Sequence, residues 1–249
     1  MAARALADIT EDMARTSIRL EDRLIVALDV PTVENAERLV EMLGDSVNFY
    51  KVGLQLQFAG GLSFAEDLVG RGKKVFLDSK LLDIDQTITG AVANIAKMGV
   101  SFLTVHGNGP TIKAAIEGRG NNPLKIFSVT ALTSLDALDL ADLGLKMSIE
   151  DYVLQRVDGA LKAGADGVIA SGLEAKKIRE RVGDQLLIVT PGIRSEGVSH
   201  DDQKRVSTPI QAISAGADYL VMGREILRAQ RPGAKAEEIF RQIERGLKA

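Results

Sequence analysis

Three stretches far apart in the chain repeat one short pattern. Lys97-Met98-Gly99-Val100, Lys162-Ala163-Gly164-Ala165-Asp166 and Ser214-Ala215-Gly216-Ala217-Asp218 each end a helix-period segment in glycine and run at once into an apolar strand. Glycine closes a helix because it enters the left-handed conformation without a Cβ clash. A chain that keeps returning from helix to strand builds a parallel sheet, since parallel neighbours need a crossover between them. Around these junctions, β-rich runs predict strands at 24–29, 47–51, 74–78, 101–106, 124–130, 166–170, 186–190 and 218–222. Helical periodicity predicts helices at 33–43, 62–71, 87–98, 111–118, 149–163, 173–182, 208–215 and 235–247. Eight β/α pairs fit one closed (β/α)₈ barrel of the TIM type, an α/β fold. A doubly wound sheet is the alternative, but the first strand is not followed by Gly-x-Gly-x-x-Gly. The expected division is a lead-in segment over 1–20 and a single barrel domain over 21–249, with no linker between.

Composition narrows the function. The chain has 249 residues, 45% of them hydrophobic, enough for a full core. It has no run of 18 apolar residues, so no membrane span is expected. A net charge of −3, with Lys and Arg scattered, offers no basic face for nucleic acid. Without cysteine there is no thiolate nucleophile or thiolate metal site, and the two histidines, His106 and His200, lack metal-ligand spacing, so no metal is expected. Residues 1–20 mix acidic and basic groups and lack an apolar h-region, so neither a secretory nor a transit peptide is expected and a cytoplasmic location follows by default.

Chemistry concentrates in VFLDSKLLDIDQT, residues 75–87. A short buried strand, Val75-Phe76-Leu77, runs into Asp78, Lys80 and Asp83. Asp78 and Lys80 are two apart and share a face, while Asp83 falls on the loop or first helical turn beyond. An ammonium held between carboxylates in a partly dry site is an acid in a fixed negative field, suited to protonating a carbanion. A simple salt bridge at a strand end is the competing reading. In a barrel the C-terminal strand ends form one cluster, here Asp29, Lys51, Asp78 with Lys80, His106, Thr130 with Thr133, Thr190-Pro191-Gly192-Ile193-Arg194 and Gly223-Arg224. The ends of strands 7 and 8 are where barrels commonly take phosphate, and Gly223-Arg224 offers a close approach and a bidentate cation; otherwise Arg224 is a surface residue opening a helix. His106, alone at the end of a buried strand, is read as structural.

Taken in order, Ala27-Leu28-Asp29, Lys51-Val52-Gly53, Asp78-x-Lys80-x-x-Asp83-Ile84-x-x-Thr87, Val105-His106, Leu132-Thr133-Ser134, Thr190-Pro191-Gly192-Ile193-Arg194, Gln203 and Gly223-Arg224 resemble the orotidine 5′-monophosphate decarboxylase family, over about Leu24 to Arg224. The resemblance implies a homodimeric, cofactor-independent enzyme that converts orotidine 5′-monophosphate to UMP and CO₂. It assigns Asp29 and Lys51 to the ribose hydroxyls, with Lys51 also in the charged array. Asp78 is assigned to the place beside the leaving carboxylate, Lys80 to protonation of C6, and Thr133 to the pyrimidine amide. Arg194, Gln203, Gly223 and Arg224 are assigned to the phosphate. Asp83 and Thr87 match residues lent across the dimer interface.

One departure stands out. Where the family commonly reads His-Asp-Ile-Pro-Asn-Thr, this chain has Leu82-Asp83-Ile84-Asp85-Gln86-Thr87. Losing the proline removes a fixed φ and adds a charge, which is expected to alter the loop and the array. Two rivals follow. One is a Mg²⁺-dependent hexulose-phosphate synthase or keto-gulonate-phosphate decarboxylase, similar in its Asp-x-Lys-x-x-Asp but with glutamate where Lys51 stands. The other is a nucleotide sensor on a decayed barrel, supported only by the altered loop.

Overall fold

The computed structural model describes residues 18–197 and 205–249. Its eight strands are β1 (Leu24–Ala27), β2 (Phe49–Gly53), β3 (Lys74–Leu81), β4 (Phe102–His106), β5 (Lys125–Val129), β6 (Gly167–Ile169), β7 (Leu187–Thr190) and β8 (Tyr219–Met222). All neighbours are parallel, and β8 pairs back onto β1 to close the barrel. The main helices are α1 (Val33–Leu43), α2 (Leu62–Gly70), α3 (Asp85–Lys97), α4 (Gly109–Arg119), α5 (Ala137–Asp142), α6 (Ile149–Ala163), α7 (Ala175–Val182), α8 (Pro209–Ser214), α9 (Arg224–Leu227) and α10 (Pro232–Leu247). The expected closed barrel is therefore present.

The recurrent junctions have a common physical job. Gly99, Gly164 and Gly216 all take positive φ, at 74°, 85° and 101°. In two of the three an aspartate follows and serves the neighbouring strand: Asp166 accepts the Ile126 N–H and Asp218 the Ile188 N–H, each at 2.8 Å. Each carboxylate also pairs with a helix arginine, Arg119 on Asp166 and Arg179 on Asp218. The motif thus ties strand, helix and neighbouring strand together at the N-terminal end.

Strand alternation divides the core into two layers. One lies between strands and helices and includes Leu24, Val26, Val75, Leu77, Leu103 and Ile126. The other fills the barrel and contains Ile25, Phe49, Phe76, Phe102, Phe127, Val189, Tyr219 and Val221. Its rings meet edge-on or tilted, with centroids 4.5 Å apart for Phe102 and Phe127, 4.9 Å for Phe49 and Phe102, and 5.1 Å for Phe102 and Tyr219. This favoured geometry makes a solid floor rather than a pore. Two residues further along the same strand faces stand Lys51, Asp78 and Thr104, the next inward positions after Phe49, Phe76 and Phe102.

Several boundaries differ from the sequence reading. β2 begins and ends two residues later than 47–51, which puts Lys51 at its centre, and β3 continues past Asp78 to Leu81. The stretch between the strand predicted at 124–130 and the helix predicted at 149–163 contains α5, held by a capping box between Asp136 and Asp139. The helical turn at Arg224 is only four residues long. Most of the lead-in, 1–17, lies outside the described residues; its last residue, Leu20, opens a 3₁₀ turn over Leu20–Asp22.

Candidate active site

The inward positions above the aromatic floor meet at the C-terminal mouth. Asp78 Oδ1 is 2.7 Å from Lys80 Nζ and accepts the Thr104 hydroxyl at 2.9 Å, and its Oδ2 lies 3.3 Å from Lys51 Nζ. Lys51 Nζ also donates to Asp29 Oδ1 at 3.0 Å. Four charges therefore alternate as Asp29, Lys51, Asp78 and Lys80. Lys51 and Asp78 are buried at 8% and 9% exposure, and the Lys80 side chain keeps a third of its surface open to the mouth.

Burial alone would push the Asp78 carboxyl up. Lys51 and Lys80, aided by the hydrogen bonds from Lys80 and Thr104, more than reverse this and hold it below the ordinary carboxylate range. Burial likewise works to depress Lys51, and the carboxylates of Asp78 and Asp29 outweigh it to raise its pKa. Both shifts favour the charged forms, so Asp78 is an anion and Lys51 a cation at neutral pH.

Local backbone sets this geometry. Register with β4 shifts between Leu77 and Leu81, a bulge at the end of β3. Within it Lys80 has φ of 49°, rare for a residue with a Cβ, and its N–H donates to Thr104 Oγ1 at 3.0 Å. Asp78 and Lys80 do meet, as simple alternation predicted, but through this left-handed step. Such strain is characteristic of functional sites. Gly53 is required by space rather than by φ: a Cβ there would stand 2.7 Å from Asp29 Oδ1 and 2.8 Å from Lys51 Nζ, so any side chain would part that pair.

Two compartments share the array. A cavity of about 230 Å³ is bounded by Lys51, Asp78 and Lys80 on one side and by Val129, Leu132, Thr133, Ile169 and Val221 on others. It adjoins one of about 470 Å³ that reaches Asp29, Arg194, Gly223, Arg224 and Arg228. The first suits a flat, partly apolar group and the second an anion. With α9 only one turn long, the positive field comes from the arginines rather than from a helix dipole. A further cavity, about 480 Å³, opens at the opposite end of the barrel, but Lys74, Arg179 and their carboxylates there are paired with one another.

Asp29, Lys51, Asp78, Lys80, Thr133, Arg194, Gly223 and Arg224 thus gather at one mouth. Asp83 and Thr87 do not: both are exposed, outside the lining of either compartment, and Asp83 accepts the N–H of Ile84 at 2.7 Å. Gln203 lies outside the described residues. The expected disturbance from Asp85 is not seen among these contacts. Asp85 is the first residue of α3 and faces a separate groove with Lys113. Proline and aspartate both suit that position, one because its missing N–H is not needed, the other because its charge faces the helix N-terminus. His106 lines neither compartment; its Nδ1 lies 3.2 Å from an Arg156 nitrogen, and burial followed by the guanidinium lowers its pKa.

Sequence reasoning missed Thr104, Arg205 and Arg228. Thr104 was recoverable from its parity with Phe102. Arg205 gave no sequence signal: it is buried against Glu174 at 2.6 Å and donates to the Leu132 carbonyl at 2.8 Å, fastening the turn that presents Thr133.

Fold and mouth together define a (β/α)₈-barrel enzyme in which a buried array of alternating charges borders an arginine-lined compartment. The profile of the orotidine 5′-phosphate decarboxylase / HUMPS family matches residues 22–239. Orotidine 5′-phosphate decarboxylase of Nitrobacter winogradskyi is 51% identical over 89% of this chain and 92% of its own. That of Afipia carboxidovorans is 52% identical over 93% and 98%. Among solved structures, orotidine 5′-phosphate decarboxylase from Lactobacillus acidophilus superposes with a TM-score of 0.78 at 35% identity, covering 88% of this chain and 98% of that one. The chain belongs to the orotidine 5′-phosphate decarboxylase / HUMPS family.

Proposed function

We propose that this chain decarboxylates orotidine 5′-monophosphate to UMP and CO₂ in pyrimidine biosynthesis, as its relatives are named to do. The observation that carries the reading is the Lys51–Asp78–Lys80 array at the junction of the two compartments. With phosphate against Arg194 and Arg224, ribose against Asp29 and Lys51, and the pyrimidine beside Thr133, the substrate carboxylate is directed toward Asp78 and C6 toward Lys80. Asp78 is fixed as an anion, so the substrate carboxylate meets like charge. Two such charges about 4 Å apart repel by roughly 4 kcal/mol at an effective dielectric near 20. At about 1.4 kcal/mol per decade that is up to a thousandfold in rate, well short of the roughly 8–23 kcal/mol that enzymes supply. The larger share is assigned to Lys80, whose ammonium faces the carbanion as CO₂ leaves and then transfers its proton to C6. Binding of the remote phosphate adds stabilisation away from the reacting bond.

The reading extends to a homodimer that shares its sites. Asp83 lies outside its own chain's mouth, between Leu82 at 59% and Ile84 at 71% exposure, and Phe58, at 90%, lines one groove with Leu82. Pairing this face with a second copy would cover those side chains and carry Asp83 and Thr87 to the partner's array. The Mg²⁺-dependent branch of the family is disfavoured because the Lys51 ammonium already occupies the space between Asp29 and Asp78.

The test is the loss of orotidine 5′-monophosphate absorbance with purified protein in excess EDTA. Undiminished turnover is expected. No turnover at all, or turnover that EDTA abolishes and Mg²⁺ restores, would contradict the proposal.

A further inference from the structure

Arg194 stands on the loop after β7 and Arg224 opens α9 after β8, and something must hold them at one spacing if they are to grip one anion. The residue after Arg194 is Ser195, and the residue after Arg224 is Glu225. The Ser195 N–H donates to Glu225 Oε2 at 2.9 Å, so one carboxylate fastens the two arginine-bearing segments together. The Glu225 side chain is 4% exposed, and Lys235 on α10 lies 3.1 Å from its Oε1. Lys235 is itself held by Glu238, 3.2 Å away, and Gln242 of the same helix reaches Ser195 Oγ at 3.4 Å.

A buried carboxylate that follows Arg224 directly and is hydrogen-bonded to the residue after Arg194 is a liability as well as a brace. Unneutralised, it would repel the dianion that the arginines attract. Burial pushes the Glu225 carboxyl up, but the Ser195 hydrogen bonds and Lys235 hold it below the ordinary range, so the charge is present and needs its partner.

We infer that Glu225 and Lys235 form a charge-neutral brace that sets the spacing of Arg194 and Arg224: Glu225 positions the two segments, and Lys235 cancels its charge toward the phosphate. The inference rests on the phosphate role given above to the arginines, and it assigns α10 a part in substrate binding.

Ribose 5-phosphate and uridine separate the two ideas, since one carries the phosphate and the other the base. Their inhibition constants are to be measured for wild type, Lys235→Met, Glu225→Gln and the double variant. Lys235→Met should weaken ribose 5-phosphate at least tenfold and leave uridine within twofold. Glu225→Gln keeps an acceptor for Ser195 without the charge and should remain within threefold of wild type. The double variant should regain most of the binding lost in Lys235→Met because the uncompensated charge is gone. A loss confined to ribose 5-phosphate separates this from a purely structural ion pair, whose loss would reach both ligands. Equal losses on both ligands, or a double variant no better than Lys235→Met, would overturn the brace while leaving the arginines in place. Wild type that fails to bind ribose 5-phosphate would overturn the phosphate assignment itself, and the brace with it.

Discussion

The lower and upper halves of the barrel interior are built on the same strand faces yet obey opposite rules. Below, Phe49, Phe76 and Phe102 pack ring on ring and exclude water. One alternation higher, Lys51, Asp78 and Thr104 place charge and hydroxyl where a smaller, drier filling would stabilise the fold better. The rings give a rigid, low-dielectric floor, and the charges above gain strength from resting on it. Stability and chemistry are thus separated by two residues along each strand. Substitutions one step apart should therefore fail in different ways.

The largest effect is expected at the upper layer. Lys80→Ala should lower kcat by about 10⁴ or more, taking proton transfer and carbanion stabilisation together. Its denaturation midpoint should shift little, since Lys80 contributes no core volume. Near-normal turnover would remove Lys80 as the acid. One layer down, Phe102→Ala should cost about 3–5 kcal/mol in denaturant unfolding by opening a cavity beneath the array. Its turnover per folded molecule should remain within roughly tenfold of wild type. If this variant lost activity as completely as Lys80→Ala, the two layers would not be separable.

Thr104 lies on the boundary, because its hydroxyl joins Asp78 to the Lys80 N–H. Thr104→Val keeps the shape and removes both bonds, worth about 1–3 kcal/mol where a buried partner is left unsatisfied. A fall in kcat of roughly 5- to 100-fold should result, with Thr104→Ser recovering most of it. The smallest effect concerns His106, at the end of β4. Its pKa is lowered in the folded protein, so the unfolded chain takes up a proton first as pH falls below the ordinary imidazole value of 6.5. The unfolded state then binds more protons, and stability drops with falling pH until the folded pKa is passed. Wild type should lose more of its urea midpoint between pH 7.5 and 5.5 than His106→Gln does. Identical pH profiles would show that Arg156 and burial do not shift this histidine.

The two layers also differ in how far they could be read from sequence. Periodicity and the recurrent glycine junctions announced the barrel because each unit obeys the same local rule. Asp29, Lys51, Asp78 and Lys80 were legible because charges at the ends of apolar strands are costly without a purpose. Thr104 was passed over since threonine is ordinary in a strand; only its parity with Phe102 marks it as inward. The bulge and left-handed Lys80 could not be seen, as register depends on the β4 partner rather than on β3 itself. The start of α3 was read late for a similar reason: it begins two residues earlier than the pattern suggested, which makes Asp85 a helix first position.

The most direct test of the account uses Asp83, which the proposal assigns to the partner's array and which lies outside the mouth of its own chain. Lys80→Ala and Asp83→Ala proteins, each expected to be inactive alone, are mixed under conditions shown by mass labelling to exchange subunits, and orotidine 5′-monophosphate turnover is followed. If each site takes Lys80 from one chain and Asp83 from the other, a mixed dimer has one intact site and one doubly damaged one. Random pairing makes about half the dimers mixed, so roughly a quarter of wild-type activity should return. If both residues served the same chain's site, every site in the mixture would carry a lesion, and an exchanged but inactive mixture would contradict the shared array.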